Sequence, residues 1–211
     1  MFIRIGGVPG VGKSTVIRKI TEAAKWCGLP VEKVKGGDYL LRLAGVSSYD
    51  ELRKLPEDYR ASLRPEMYRL MYEEDRNNPG VIRLRDAHFS LIDPESGKTV
   101  LFPVFPEDKE QMLGMVILTA DPEVILQRRT LDKDREDRSL DLEMIKREQE
   151  IELATATAQA KELGQELAVV DNSMLGLGVY KEIINKAFPE GQIASTLEGA
   201  IMGFGGGIER R

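Results

Sequence analysis

The sequence predicts a three-layer α/β/α fold around a five-stranded parallel sheet, and three observations carry that expectation. Short β-rich runs alternate with helical patterns along most of the chain. A glycine-rich turn, GGVPGVGKST at residues 6–15, joins the first run to the first helical pattern. The chain has 211 residues, 42% of them hydrophobic, which suits one α/β domain with insertions.

The first element is the apolar run Phe2, Ile3, Ile5, read as a buried strand, and Thr15–Lys25 reads as the helix after it. Further strands are expected at Val31–Lys35, Val81–Arg85, Met115–Thr119 and Leu167–Val170. Ligands of such sheets sit beyond the C-terminal ends of the strands. Chemistry is therefore expected at Gly6–Thr15, Gly36–Asp38, Asp86–His88, Thr119–Pro122 and Asp171–Asn172. Asp121-Pro122 has the form of a helix cap followed by proline at the first helical position.

Two stretches exceed plain connections. Residues 36–79 read as helices joined by turns, inserted between the second and third strands. Residues 130–142, TLDKDREDRSLDL, are almost devoid of apolar side chains and are a candidate lid. The expected division is a domain over 1–188 and a tail over 189–211 whose composition suggests disorder.

A net charge of −5 argues against a nucleic-acid backbone as the main partner. The single cysteine, Cys27, allows no internal disulfide and fits a reducing compartment. No apolar run approaches the roughly 20 residues of a membrane span. The N-terminus enters the first strand at once, which leaves no signal peptide to expect. These points favour a cytoplasmic protein without a membrane partner.

The turn matches G-x-x-x-x-G-K-[ST], with Gly7, Gly12, Lys13 and Ser14 at the defining places. A strand feeding such a turn into a helix aims backbone N–H groups at one point, where the helix dipole adds about half a positive charge. Val8, Pro9, Gly10, Val11 and Thr15 complete the expected phosphate cradle. Gly10 and Gly12 are expected to let the backbone approach phosphate oxygens that a Cβ would hold off. Lys13 can bridge the β- and γ-phosphates, and Ser14 is a Mg²⁺ ligand in this pattern. This is the P-loop NTPase arrangement.

Further along, GGDYLLRLAG follows the second strand and ELRKLPEDYR precedes the long helical stretch. VIRLRDAH ends the third strand in Asp-x-His, and ADPEVILQRRTLDKDREDR joins a strand to an arginine-rich helix and lid. In this order, over residues 1–188, the chain resembles the nucleoside monophosphate kinases, most closely the archaeal type of adenylate kinase. The resemblance implies a helical monophosphate-binding insertion at 36–79, a short lid at 130–142, ATP and Mg²⁺ as cofactors, AMP as acceptor, and a homotrimer. Arg42 follows Tyr39-Leu40-Leu41, about 100° around the helix from the family's arginine. The helix EQEIELATATAQAKELG lacks the arginine usual in the archaeal group.

Two polyanions must meet during phosphoryl transfer, so cations have to converge from separate elements. Arg128 or Arg129, with Arg135 and Arg138, is expected to close from the lid onto the transferring group, and Arg129 is also a candidate at the donor nucleotide. Guanidinium forks suit phosphate oxygens. Gly37, Asp38, Arg42 and Arg53 are candidates for the acceptor monophosphate. Asp86 can hold Mg²⁺ through its water shell. His88, the only histidine, is expected to position a substrate by a hydrogen bond, because an anionic acceptor phosphate requires no general base. Asn172 either touches the adenine or belongs to a turn. Two alternatives share these features: an adenylate-kinase-like ATPase that switches a ribosome-assembly partner, and a kinase for another nucleoside monophosphate.

Overall fold

A computed structural model of the chain describes residues 1–92, 97–132, 138–174, 177–187 and 199–201. β1 (Phe2–Gly6) enters the glycine-rich turn, α1 (Lys13–Trp26) leaves it, and β2 (Val31–Lys35) follows. The insertion is α2 (Gly36–Ala44), α3 (Tyr49–Lys54) and α4 (Glu57–Asn77), ahead of β3 (Ile82–Asp86). Next come β4 (Ser90–Ile92), β5 (Thr99–Leu101), α5 (Pro106–Gln111) and β6 (Met112–Thr119). The chain continues through α6 (Pro122–Leu131), α7 (Leu142–Leu163), β7 (Leu167–Asp171) and α8 (Leu177–Ala187).

The main sheet has five strands in the order β2-β3-β1-β6-β7, and every pairing in it is parallel. β1 is central, and the chain reaches its two neighbours by going opposite ways. That reversal opens a crevice at the C-terminal end of β1, where the glycine-rich turn lies. The strands fall within a few residues of the expected positions. β6 is the longest because Met112, Gly114, Met115, Val116 and Ile117 all find register partners on β1.

Alternation along the strands assigns the two faces. Ile3, Ile5, Leu84, Val116 and Leu118 pack with Val16, Ile17 and Ile20 of α1 and Ile183 of α8. Fully burying each such side chain contributes about 1.5–3 kcal/mol. Phe2, Met115 and Ile117 face the other way, toward Tyr72 of α4 and Ala156 and Ala160 of α7. On that second face β3 carries arginine where an apolar residue is the usual choice. Arg83 and Arg85 are 3% and 5% exposed, and both are held by Asp75 of α4, at 2.9 and 2.6 Å. Shared bonding to one buried carboxylate is what allows two guanidinium groups inside a sheet layer.

The insertion is helical throughout, as expected. Ser48 caps α3 by accepting from the Glu51 amide at 3.2 Å, and Glu51 accepts from the Ser47 amide at 2.8 Å. A separate antiparallel pair, β4 with β5, was not anticipated, since three-residue strands carry too little periodicity to read. Residues 133–137 of the expected lid and most of the 189–211 tail lie outside the described residues. Of that tail, residues 199–201 are helical, and Ala200 and Ile201 join the core cluster. No helix among the described residues is long and apolar enough to cross a membrane.

Asp121 caps α6, accepting from the Glu123 amide at 2.9 Å, with Pro122 opening the helix. Asp121→Ala is expected to lower stability by about 1 kcal/mol. Chemical denaturation checks this, and an unchanged midpoint would remove the cap from the account.

Candidate active site

The phosphate loop is held in shape by glycines with left-handed backbones. Gly10 has φ +86° and Gly12 has φ +101°. A Cβ built on Gly10 would lie 2.9 Å from Arg129 Cγ, and one on Gly12 would lie 2.5 Å from Asn172 Nδ2. The expected reason for these glycines, room for phosphate, therefore gains a second part: the protein behind the loop is packed equally close. Gly12 is also the N-cap of α1, and no side chain caps that helix. A helix start of this kind leaves its first amides without intrahelical acceptors, which suits an anion.

Lys13 is only 6% exposed. Its ammonium donates to the Gly7 carbonyl and to the Val8 carbonyl at 3.2 Å. Burial draws its pKa below the ordinary lysine range, and Asp86 and Glu152 oppose that shift. Ser14 Oγ donates to Asp86 Oδ2 at 2.8 Å. This hydroxyl and carboxylate form a pair of hard oxygen donors, which fits Mg²⁺.

Several residues expected to touch nucleotide instead brace the loop. Arg128 donates to the carbonyls of Val11 at 3.0 Å and Asn172 at 2.8 Å. Arg129, 3% exposed, donates to Pro9 O at 3.0 Å and Ser139 O at 2.9 Å and ion-pairs with Glu148 at 2.5 Å. In this structure its guanidinium thus braces the phosphate loop from protein acceptors. Asn172 is fully buried, and its Nδ2 donates to Val11 O at 2.8 Å. It supports the loop from behind.

Of the lid arginines, Arg135 falls outside the described residues. Arg138 is within electrostatic reach of Lys13 and pairs with Asp132 at 2.7 Å.

A cavity of about 260 Å³ opens between the insertion and the sheet. Gly37, Leu40 and Met67 line it on the insertion side, and Asp86 and His88 line it from the end of β3. Its cations are Arg4, Arg64 and Arg85. Arg4 donates to the His88 carbonyl at 3.1 Å, Arg64 pairs with Glu57 at 2.5 Å, and Arg85 is held by Asp75. Arg42 and Arg53 do not line this cavity. Arg42 stacks on the Tyr39 ring with its Cζ 4.5 Å from the centroid, and Arg53 ion-pairs with Asp50. Asp38 accepts from the Tyr49 hydroxyl, while Tyr49 also lies against Gly37. The cavity is thus lined by a trio of arginines other than Arg42 and Arg53.

Two of that trio come from sheet strands, where arginine is not looked for. The buried hub Glu152 also escaped notice, although a signal existed. It falls on the same helical stripe as Ile145, Ala156, Ala160 and Leu163, all buried on α7. A carboxylate on an apolar stripe needs donors inside the protein.

Comparison with known proteins agrees with this geometry. A family model described as AAA domain matches residues 6–146. An adenylate kinase from Sulfurisphaera tokodaii is 32% identical over 62% of this chain and 69% of its own length. One from Methanopyrus kandleri is 30% identical over 79% of this chain and 86% of its own. One from Pyrococcus abyssi is 30% identical over 80% and 84%. Among solved structures, shikimate kinase from Aquifex aeolicus superposes with a TM-score of 0.54 at 20% identity, over 88% of this chain and 95% of that one. The enzyme from Bacteroides thetaiotaomicron gives 0.51 at 15% identity, over 94% of each chain. These two show the fold alone. With the phosphate loop, the Ser14–Asp86 pair and the sequence relatives in agreement, the chain belongs to the archaeal-type adenylate kinase family of P-loop nucleoside monophosphate kinases.

Proposed function

We propose that the protein catalyses ATP + AMP ⇌ 2 ADP. One observation carries the reading: Asp86 is bonded to Ser14 of the phosphate loop and also lines the acceptor cavity. The donor and acceptor sites therefore meet at a single residue. The names of the sequence relatives favour AMP as acceptor.

In this reading the loop amides and Lys13 hold the donor phosphates. Ser14 and Asp86 would hold Mg²⁺, which supplies charge neutralisation at the β- and γ-phosphates. The acceptor lies in the cavity with its phosphate toward the rim at Asp86 and His88. An oxygen of that phosphate, already anionic, attacks the γ-phosphorus as the bond to the β-phosphate oxygen breaks, and no proton has to be removed. Water exclusion by the closing lid keeps hydrolysis from competing.

The test is a coupled assay of ADP formation with AMP, CMP, UMP or GMP, beside an acceptor-free control. AMP-dependent ADP formation is expected. ATP hydrolysis that ignores every monophosphate would overturn the reading in favour of a nucleotide-driven switch.

The cavity cations can be separated from the expected ones by kinetics. Arg64→Ala is expected to raise KM for AMP about tenfold with KM for ATP nearly unchanged, through loss of a charge-assisted bond. Arg53→Ala removes an exposed ion pair and should change KM for AMP less than about threefold. The reverse ranking would return the acceptor site to α3.

A further inference from the structure

Glu152 is 1% exposed, and its carboxylate reaches both halves of the site at once. Oε1 accepts from the Gly7 amide of the phosphate loop at 3.1 Å and from the Phe89 amide at 2.9 Å. Oε2 accepts from the Ser90 amide and from Ser90 Oγ at 2.8 Å. Residues 86–88 line the acceptor cavity immediately before this segment. The segment is also fixed from β1, since Ala87 N donates to Ile5 O at 3.1 Å and Arg4 donates to His88 O at 3.1 Å.

A buried carboxylate is unfavourable unless its lone pairs are filled, and here they are filled by backbone amides of two separate elements. Ionised acceptors hold amides more tightly and at shorter range than neutral ones. Gly7 opens the turn that presents the donor phosphates, and the 86–90 segment carries the cavity rim. The distance between these two sets the distance between the reacting phosphates, and small misplacements there are costly in rate.

We infer that Glu152 is a positioning residue for phosphoryl transfer, fixing the phosphate loop against the rim of the acceptor cavity. It contacts neither nucleotide. Its effect belongs to the alignment of the two substrates, so it should appear in kcat and not in either KM. This rests on the kinase reading of the site.

Glu152→Gln keeps size and replaces one oxygen with an amide NH₂ that faces N–H donors. It is expected to lower kcat about thirtyfold, with KM for ATP and for AMP moving less than about threefold. In the free protein, amide hydrogen exchange at Gly7, Phe89 and Ser90 should quicken together, while amides of β6 stay protected. A lower melting temperature with unchanged kcat per folded molecule would reduce Glu152 to a stability residue and overturn the inference. So would a rise in one KM alone. If E152Q does not accumulate as folded protein, Ser90→Ala removes one donor and leaves the carboxylate. It should lower kcat about threefold at constant KM, and an unchanged kcat there also overturns the inference. A wild-type enzyme that forms no ADP from any monophosphate counts against the kinase reading, whereas the exchange experiment still tests the tether.

Discussion

Lys13→Ala is expected to reduce phosphoryl transfer about 10³-fold in kcat, equivalent to about 4 kcal/mol of transition-state stabilisation. The ammonium is buried and, among the described residues, bonded to the Gly7 and Val8 carbonyls of its own loop. Against an ordinary lysine its pKa is lowered chiefly by burial, so the charge is held there at a cost to the folded state. Removing it should leave the fold intact, because the packing of α1 comes from Val16, Ile17 and Ile20. Developing negative charge on the transferring group loses a fixed partner, and no nearby cation lies on the same loop to replace it. Steady-state kinetics with a thermal melt on the same preparation decide the matter. Near wild-type kcat would remove the loop from the mechanism, and a collapsed melting temperature would mean that the loss is structural.

The parts of this site that could be read in the sequence are those whose chemistry needs consecutive residues. GGVPGVGKST holds its φ requirements, lysine and hydroxyl within one turn, and the strands and inserted helices follow from local patterning. Asp121-Pro122 belongs to the same class, as a cap that satisfies its own helix. What stayed hidden depends on partners far apart in the chain. Arg83 and Arg85 look like surface residues until Asp75 folds over them. Arg4 faces the cavity only because β1 and β3 pair in register, with Arg4 opposite Arg85. Arg129 and Asn172 lie against the phosphate loop, and nothing local distinguishes a side chain that faces a ligand from one that supports the loop from behind. Burial decides that, and burial is a property of the assembled fold.

Arg138→Ala separates a kinase from a slow nucleotide switch, and it is expected to lower kcat for transfer to AMP about 10²-fold with little change in ATP affinity. Arg138 pairs with Asp132 at 2.7 Å in this structure. The Asp132 side chain is 38% exposed and that of Arg138 15%, so solvent screens the pair in part. A 10²-fold rate effect corresponds to about 2.7 kcal/mol, the contribution expected of the arginine once phosphate oxygens replace the carboxylate. Arg138 already contributes to the electrostatics at Lys13, which puts it within reach of the reacting group. Two bound nucleotides present more negative charge than ATP alone, and exchange of Asp132 for phosphate should therefore require both sites to be filled. Asp132→Asn removes this one pair and keeps the arginine, and kcat should then be retained while Arg138→Ala loses it. Arg138→Lys keeps the charge but not the planar fork and should recover only part of the rate. Transfer to AMP that survives Arg138→Ala, alongside partner-stimulated ATP hydrolysis, would assign the chain to the switch class and leave the lid arginine no role in transfer.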